Sequence, residues 1–235
     1  MPKKQKVKNM LYKILQKIEP RLRIIYQKLY EPPIPNLRGD RDVEYSWICA
    51  NMPSGPGEAL DFGCGTGWMG LLAARKGFNV IAIDLEPVTW YYVHPKLKFI
   101  QGDLLKVSLP LNYFDLVINV SAIEHVGLTG RYSVTEEKPD GDLEAMKVIY
   151  NIMKKGGIML LTIPVGKDRV FKPFHRIYGT ERLPKLLQGF EIIAKEFWVK
   201  DKLNRYICVD EEIALNNEPL EHCYGLGLFV LKKSL

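Results

Sequence analysis

Apolar residues recur along this chain at two spacings, and the change from one to the other divides it. Val7, Met10, Leu11, Ile14, Leu15 and Ile18 follow the 3.6-residue repeat of an amphipathic helix, with lysines largely between them. Pro20 is expected to interrupt the run, because proline lacks the backbone donor of a continuous helix. Leu22, Ile25, Tyr26 and Leu29 then carry a second short helical pattern. Glu31-Pro-Pro-Ile-Pro35 reads as a stiff linker, so the pattern predicts an arm over 1–35 and a domain over 36–235.

Within the domain, Val43, Trp47 and Ile48 are spaced for one face of a helix over 41–51. After the turn Pro53-Ser-Gly-Pro-Gly57 the spacing tightens into short apolar runs at 58–62, Val80–Ile83, Leu97–Ile100, Phe114–Val120 and Gly157–Ile163. Helical segments separate them, the first carrying Trp68, Leu71, Leu72 and Ala73 to Gly77. Strands too apolar for an exposed edge imply a parallel sheet covered on both faces. Phe190–Val199 and Leu226–Leu231 look like strands without a helix between them, which predicts an antiparallel pair closing the sheet. The polar stretch 200–222, with Asp210, Glu211 and Glu212, reads as a solvated loop.

Composition changes this picture little. A chain of 235 residues, 47% apolar and 26% charged, has room for one large core and an appendage. Cys49, Cys64, Cys208 and Cys223 form no CxxC pair, and neither a secretory leader nor an apolar run of the ~20 residues needed to cross a bilayer is evident. A cytoplasmic chain with reduced thiols is the expectation. Charge matters more: residues 1–30 hold nine Lys and Arg against Glu19 alone, a net +8 within an overall +6. The domain is thus near neutral, which argues against a nucleic-acid groove across it. The basic arm over 3–30 suits packing on the domain, a dimer contact, or an anionic membrane surface, with RNA a weaker alternative.

The chemistry centres on Glu58-Ala-Leu-Asp-Phe-Gly-Cys-Gly-Thr-Gly67, a buried strand that breaks into a glycine loop and opens a helix. Alternate glycines let backbone approach a bound molecule where side chains would block it. Gly65-Thr-Gly67-Trp-Met-Gly70 matches the dinucleotide fingerprint, with Asp84 at a ribose-binding distance along the chain. Three features oppose that match: the acid Asp61 at the strand end, the spacing Gly63-x-Gly65-x-Gly67, and Asp103 closing the third strand. An acid facing the ligand repels a pyrophosphate and suits an ammonium group.

Over roughly 41–233 the sequence resembles the class I S-adenosylmethionine-dependent methyltransferases. Leu60-Asp-Phe-Gly-Cys-Gly-Thr-Gly67, Asp84, Gly102-Asp-Leu104, Phe114 to His125, and the turn Lys154-Lys-Gly-Gly157 into the fifth strand carry that resemblance. It implies an α/β fold, a doubly wound, mostly parallel seven-stranded sheet with an antiparallel last strand, preceded here by the basic helical arm. It also implies S-adenosyl-L-methionine as cofactor, with contacts at Asp61, Gly63, Gly65, Gly67, Asp84, Leu85, Asp103, Leu104 and Ser121. The second half is similar to the family called domain of unknown function 268, through Ser121-Ala-Ile-Glu-His-Val-Gly127, Arg131-Tyr132, Asp140-Gly-Asp-Leu143, Ile163-Pro-Val-Gly166, His175-Arg-Ile-Tyr178 and Arg182-Leu-Pro184. Ser133-Val134 stands where Gly-Asp is expected after the Arg-Tyr pair.

Methyl transfer is governed mainly by alignment. For a hydroxyl acceptor, His125 and Glu124 are the first candidates for the base, and His175 the next. The Glu-His pair is similar to the E-x-x-E-H metal motif of methyltransferases acting on quinone precursors and small-RNA ends, but Ser121 replaces the first Glu, so no metal is expected. Arg131, Tyr132, Arg176 and Tyr178 are candidates for holding a sugar, phosphate or carboxylate. The reading is a methyltransferase for a small polar acceptor, preferably a sugar or glycan hydroxyl. An NAD(P)-dependent oxidoreductase and a non-catalytic binding protein of the same fold remain as alternatives; oligomeric state is not legible.

Overall fold

The computed structural model describes residues 3–30 and 34–234, so Glu31, Pro32 and Pro33 of the expected linker lie outside the described residues. Two compact units divide the chain, Met1–Asn36 and Leu37–Leu235. The first contains one helix, α1 (Lys3–Tyr30), which runs through Pro20. The expected interruption is thus corrected: a proline removes a single backbone donor, and the turns on either side keep their own hydrogen bonds. No described helix is long and apolar enough to cross a membrane.

The second unit begins with α2 (Asp40–Asn51), then β1 (Gly57–Phe62), α3 (Met69–Arg75), β2 (Phe78–Asp84), β3 (Leu97–Gln101) and β4 (Phe114–Val120). A short 3-10 turn, Ile123–His125, leads towards α4 (Gly141–Ile152) and β5 (Met153–Val165). The hairpin of β6 (Arg169–Phe171) and β7 (His175–Ile177) follows, then α5 (Arg182–Leu186), β8 (Phe190–Lys200), β9 (Tyr206–Val209), α6 (Glu211–Asn216) and β10 (Gly225–Lys233).

One sheet takes the order β3-β2-β1-β4-β5-β10-β8-β9. The pairs from β3 to β5 are parallel, and β10 runs antiparallel to both β5 and β8. The doubly wound sheet with a reversed last strand is therefore present, extended by an eighth strand at the β8 edge. That strand, β9, and α6 both fall in 200–222, correcting the expected solvated loop. Tyr206-Ile-Cys-Val209 has the β-branched and aromatic character that pairs with β8, and α6 buries Ala214 and Leu215. Lys154-Lys-Gly-Gly157 already lies inside β5 rather than in a turn before it.

Strand residues alternate between two cores because successive side chains point to opposite faces. Leu60, Val117, Met159 and Leu161 pack with α4 residues Ala145, Met146 and Ile149 on one face. Ala59, Leu116, Ile118 and Leu160 pack with Trp47 and Ile48 of α2 and Met69 and Ala73 of α3 on the other. This double burial explains why the runs show no polar alternation. Strand order reverses between β1 and β4, and in such sheets ligands bind in the crevice beyond the carboxyl ends at that point.

Phe229 of the reversed strand is fully buried and meets Phe197 edge to face, with ring centroids 5.6 Å apart. Phe229→Ala is expected to lower the unfolding free energy by about 3–5 kcal/mol, read from urea midpoints, whereas Ile207→Ala on the half-exposed edge strand β9 should cost far less.

Candidate functional site

The crevice at the β1/β4 switch point is a cleft of about 490 Å³, and Asp61, Gly63, Gly65, Gly67, Asp84, Leu85, Asp103, Leu104 and Ser121 all line it. Two glycines serve it differently. At Gly63 (φ +68°) an added Cβ would stand 2.2 Å from the Ala122 side chain, so only glycine lets β1 end beside the segment after β4. At Gly65 (φ +47°) an added Cβ would meet nothing within 4 Å, leaving backbone open towards the cleft.

The acids are fixed by backbone donors. Asp61 is 3% exposed, and its Oδ2 accepts the Gly70 N–H at 2.7 Å, at the start of α3. Burial pushes its carboxyl up to about 7 against the pull of that hydrogen bond. Asp84 Oδ2 accepts the Gly65 N–H at 2.8 Å and Oδ1 accepts the Glu86 N–H at 2.9 Å. Asp103 Oδ1 accepts the Leu105 N–H at 2.9 Å. Each carboxylate oxygen keeps a second lone pair for a ligand.

Glycine cannot hold its own loop, and the braces come from a segment that sequence reasoning missed. Trp90 Nε1–H donates to the Gly65 carbonyl at 3.1 Å and the Tyr92 hydroxyl to the Gly67 carbonyl at 2.7 Å. The two rings stack 5.4 Å apart. The available signal was the aromatic cluster Trp90-Tyr-Tyr92 shortly after Asp84.

Beyond Ser121 the site changes character. Ser121, at φ 45°, donates to Glu44 of α2 through its hydroxyl. Glu44 is fully buried, accepts Thr162 Oγ1–H at 2.7 Å and pairs with Arg41, which with Tyr45 also lines the cleft. A carboxylate thus does reach Ser121, from outside the motif, but its oxygens are engaged by these three partners. Arg41, Glu44 and Tyr45 were missed because a helix 77 residues away gives no local signal at Ser121.

His125 lines the cleft with Tyr132. Its Nδ1 lies 2.6 Å from the Phe174 carbonyl, an acceptor only, so Nδ1 carries the hydrogen and Nε2 the lone pair. Burial lowers the imidazole pKa to about 3, outweighing that carbonyl. Glu124 is 1% exposed and does not line the cleft, with Oε1 3.6 Å from His125 Nε2; burial pushes this carboxyl up to about 8. His175 is buried with its ring 6.3 Å from that of His125 and does not line the cleft. Glu124 Oε2 and His175 Nε2 have no hydrogen-bond partner. Arg131 lies over the Tyr132 and Phe174 rings, 5.1 and 5.8 Å from their centroids.

Arg176 and Tyr178 require a correction, because the structure spends their polar atoms inside the protein. Arg176 is 1% exposed and donates to the carbonyls of Glu124, Val126, Lys138 and Pro139 at 2.7 to 3.2 Å. Tyr178, fully buried, donates to Asp142 at 3.0 Å. A sequence lists a guanidinium and a phenol without saying that four carbonyls and a carboxylate will enclose them. Arg176 instead ties the His125 turn to the segment entering α4.

A switch-point cleft bearing acids at three strand ends, on a doubly wound sheet with one reversed strand, is the arrangement of the class I S-adenosylmethionine-dependent methyltransferase fold. Residues 105–216 match the family described as Caenorhabditis protein of unknown function, DUF268, which the second half of the chain resembles. A probable S-adenosylmethionine-dependent methyltransferase of Mycolicibacterium smegmatis is 28% identical over 147 residues, 57% of this chain and 52% of that protein. The chain spans about half the length of the curated relatives it matches first. Among solved structures, a putative methyltransferase of this class from Listeria monocytogenes superposes with a TM-score of 0.55 at 15% identity, covering 82% of this chain and 98% of that one. The [4+2]-cyclase SpnF does so at 0.57 and 19%, covering 83% and 81%. These structures share the fold with this chain.

Arg176→Met would leave four buried carbonyls without their donor and remove a cation 3.5 Å from Asp142, and is expected to cost about 3–5 kcal/mol of stability by urea unfolding. Arg131→Met, on the exposed side, should stay within about 0.5 kcal/mol of the parent.

Proposed function

We propose that this chain is an S-adenosylmethionine-dependent methyltransferase acting on a neutral hydroxyl, with a sugar or glycan hydroxyl the preferred acceptor. The observation that carries the reading is the line of acids Asp61, Asp84 and Asp103 along one cleft, with Arg41 on its rim. The cofactor is an amino acid, a sulfonium, a ribose and an adenine in sequence, and the residues fit that order. Asp61 would hold the ammonium and Arg41 the carboxylate. Asp84 would hold the ribose hydroxyls, and Leu85 and Leu104 would flank the base, with Asp103 accepting from its amino group. The open Gly65 backbone leaves room for this ligand. When bound, the cofactor supplies an electrophilic methyl group.

The chain's own residues then orient the acceptor and handle its proton. With Nδ1–H held by Phe174, His125 Nε2 is the atom that takes the proton from an acceptor hydroxyl. Glu124, protonated until about pH 8, keeps the pair uncharged at neutral pH. Once ionised, it favours the imidazolium and makes His125 a stronger base. Tyr132, partly exposed with Arg131 against it, offers a ring face and donors suited to a sugar. Arg41 and Ser121 line the same cleft and are tied together by the buried Glu44.

A dinucleotide would set its pyrophosphate near Asp61, which disfavours the oxidoreductase reading. The fold alone does not fix the reaction, and a neighbour named as a cyclase makes that concrete. Calorimetry should show S-adenosylhomocysteine binding that weakens about tenfold or more in Asp84→Ala, since two lost hydrogen bonds to a charged acceptor are each worth about 1.5–3 kcal/mol; binding of NAD alone would sink the proposal. Transfer of labelled methyl to saccharide fractions tests the acceptor class.

The Glu124 carboxyl is raised, so its charged form appears only as pH climbs. The single-turnover rate is therefore expected to rise to a plateau above about pH 8, and Glu124→Gln should flatten that limb while leaving cofactor affinity unchanged. An unaltered pH profile in the variant would remove Glu124 from the proton path.

A further inference from the structure

We propose that α1 is a surface-lying membrane helix that docks on anionic lipid, a property separate from whatever the domain catalyses. Leu11, Leu15, Ile18, Leu22, Ile25 and Leu29 are separated alternately by four and three residues, and α1 is unbroken through Pro20. They therefore form one continuous line, and each is between 42% and 71% exposed. Pro20 is two residues from both Ile18 and Leu22, which at about 100° per residue puts it on the opposite side of the helix. Its missing hydrogen bond faces away from the apolar line, so the defect does not interrupt the face that would enter the lipid.

Charge chooses the occupant. Lys13, Lys17 and Arg21, at four-residue steps, run from the side of α1 opposite the line towards its flank, and the arm over 1–30 holds nine Lys and Arg against Glu19 alone. The four-three spacing would also serve a coiled coil, but a second copy would bring two helices of net +8 together with hardly an acid to pair the bases. An RNA would meet the bases and leave the apolar line in water. A bilayer rich in acidic phospholipid satisfies both: headgroup phosphates meet the bases of the polar side and the acyl boundary takes the leucines and isoleucines. No described helix is apolar enough to span, so α1 lies in the interface plane.

Flotation of the full-length protein with phosphatidylcholine vesicles, with and without phosphatidylserine, tests this. Binding is expected only with phosphatidylserine and should fall about tenfold or more in high salt, as screening removes the attraction. The double variant Leu15→Glu/Leu22→Glu should abolish flotation, and Lys13→Gln/Lys17→Gln/Arg21→Gln should weaken it, each with an unchanged thermal unfolding midpoint for the domain. No flotation, equal binding to neutral vesicles, or flotation unaffected by the leucine variant would each overturn the proposal. So would an oligomer, seen by sedimentation without vesicle binding, that Leu15→Glu/Leu22→Glu dissolves; that result would assign the line to a second copy. An RNA mobility shift that survives the leucine variant in protein that does not float would equally overturn it.

Discussion

The ends of β1 and β4 approach so closely that no side chain fits between Gly63 and Ala122, and the rest of the site follows from that contact. The strands stay paired as far as Phe62 and Asn119, and Asn119 closes the seam by donating from Nδ2 to the Phe62 carbonyl at 3.0 Å. Beyond the seam the chains cannot continue side by side. One turns away as the glycine loop. The other turns through Ser121, at φ 45°, into the short helical turn that carries Glu124 and His125. One steric constraint thus separates a half shaped by backbone from a half shaped by titratable side chains.

Each half is then held by groups distant in sequence. The glycine loop hangs from Asp84, Trp90 and Tyr92. The His125 turn is fastened by the Arg176 guanidinium and the Phe174 carbonyl. Buried charges of this kind add little net stability compared with apolar packing of equal volume, yet losing one partner is costly. Their effect is to specify one arrangement. Asp142 takes Arg182 at 2.5 Å and the Tyr178 hydroxyl at 3.0 Å, which fixes the β7 to α5 region against the first turn of α4.

Sequence legibility followed burial. β1, β2, β4 and β5 could be read because both faces are largely covered, which removes polar alternation and leaves plain apolar runs, and the edge strand β3 through Leu97, Phe99 and Ile100. β9 and the β6–β7 hairpin could not, since strands of three or four residues are too short to show a period, and β7 buries the polar His175 and Arg176. Asp61, Asp84 and Asp103 were legible as a set because each ends or follows a strand whose partners share one edge of the sheet. Arg176, Tyr178 and Glu44 were not, because whether a polar side chain meets a ligand or the protein's own carbonyls is decided by tertiary neighbours. Pro20 misled for a related reason: a rule for helix interiors counts one lost hydrogen bond, while the surrounding turns retain theirs.

The two halves also differ in charge. Asp61, Asp84 and Asp103 make the cofactor side acidic, while at neutral pH burial leaves Glu124 protonated and His125 neutral on the other. Such a division suits a cationic cofactor meeting a neutral acceptor. With the cofactor bound, the positive charge on its sulfur would disperse on methyl transfer, so a poorly hydrated, uncharged surrounding would oppose the transition state less than the ground state. An anionic acceptor would lose part of that benefit, because its own desolvation would have to be offset and Arg131 stands on the exposed rim rather than inside the cleft. Under the proposed reaction, the burial that makes His125 a weak base in isolation suits a site that would rely chiefly on alignment, the proton passing to the imidazole late, when the hydroxyl oxygen has gained positive character.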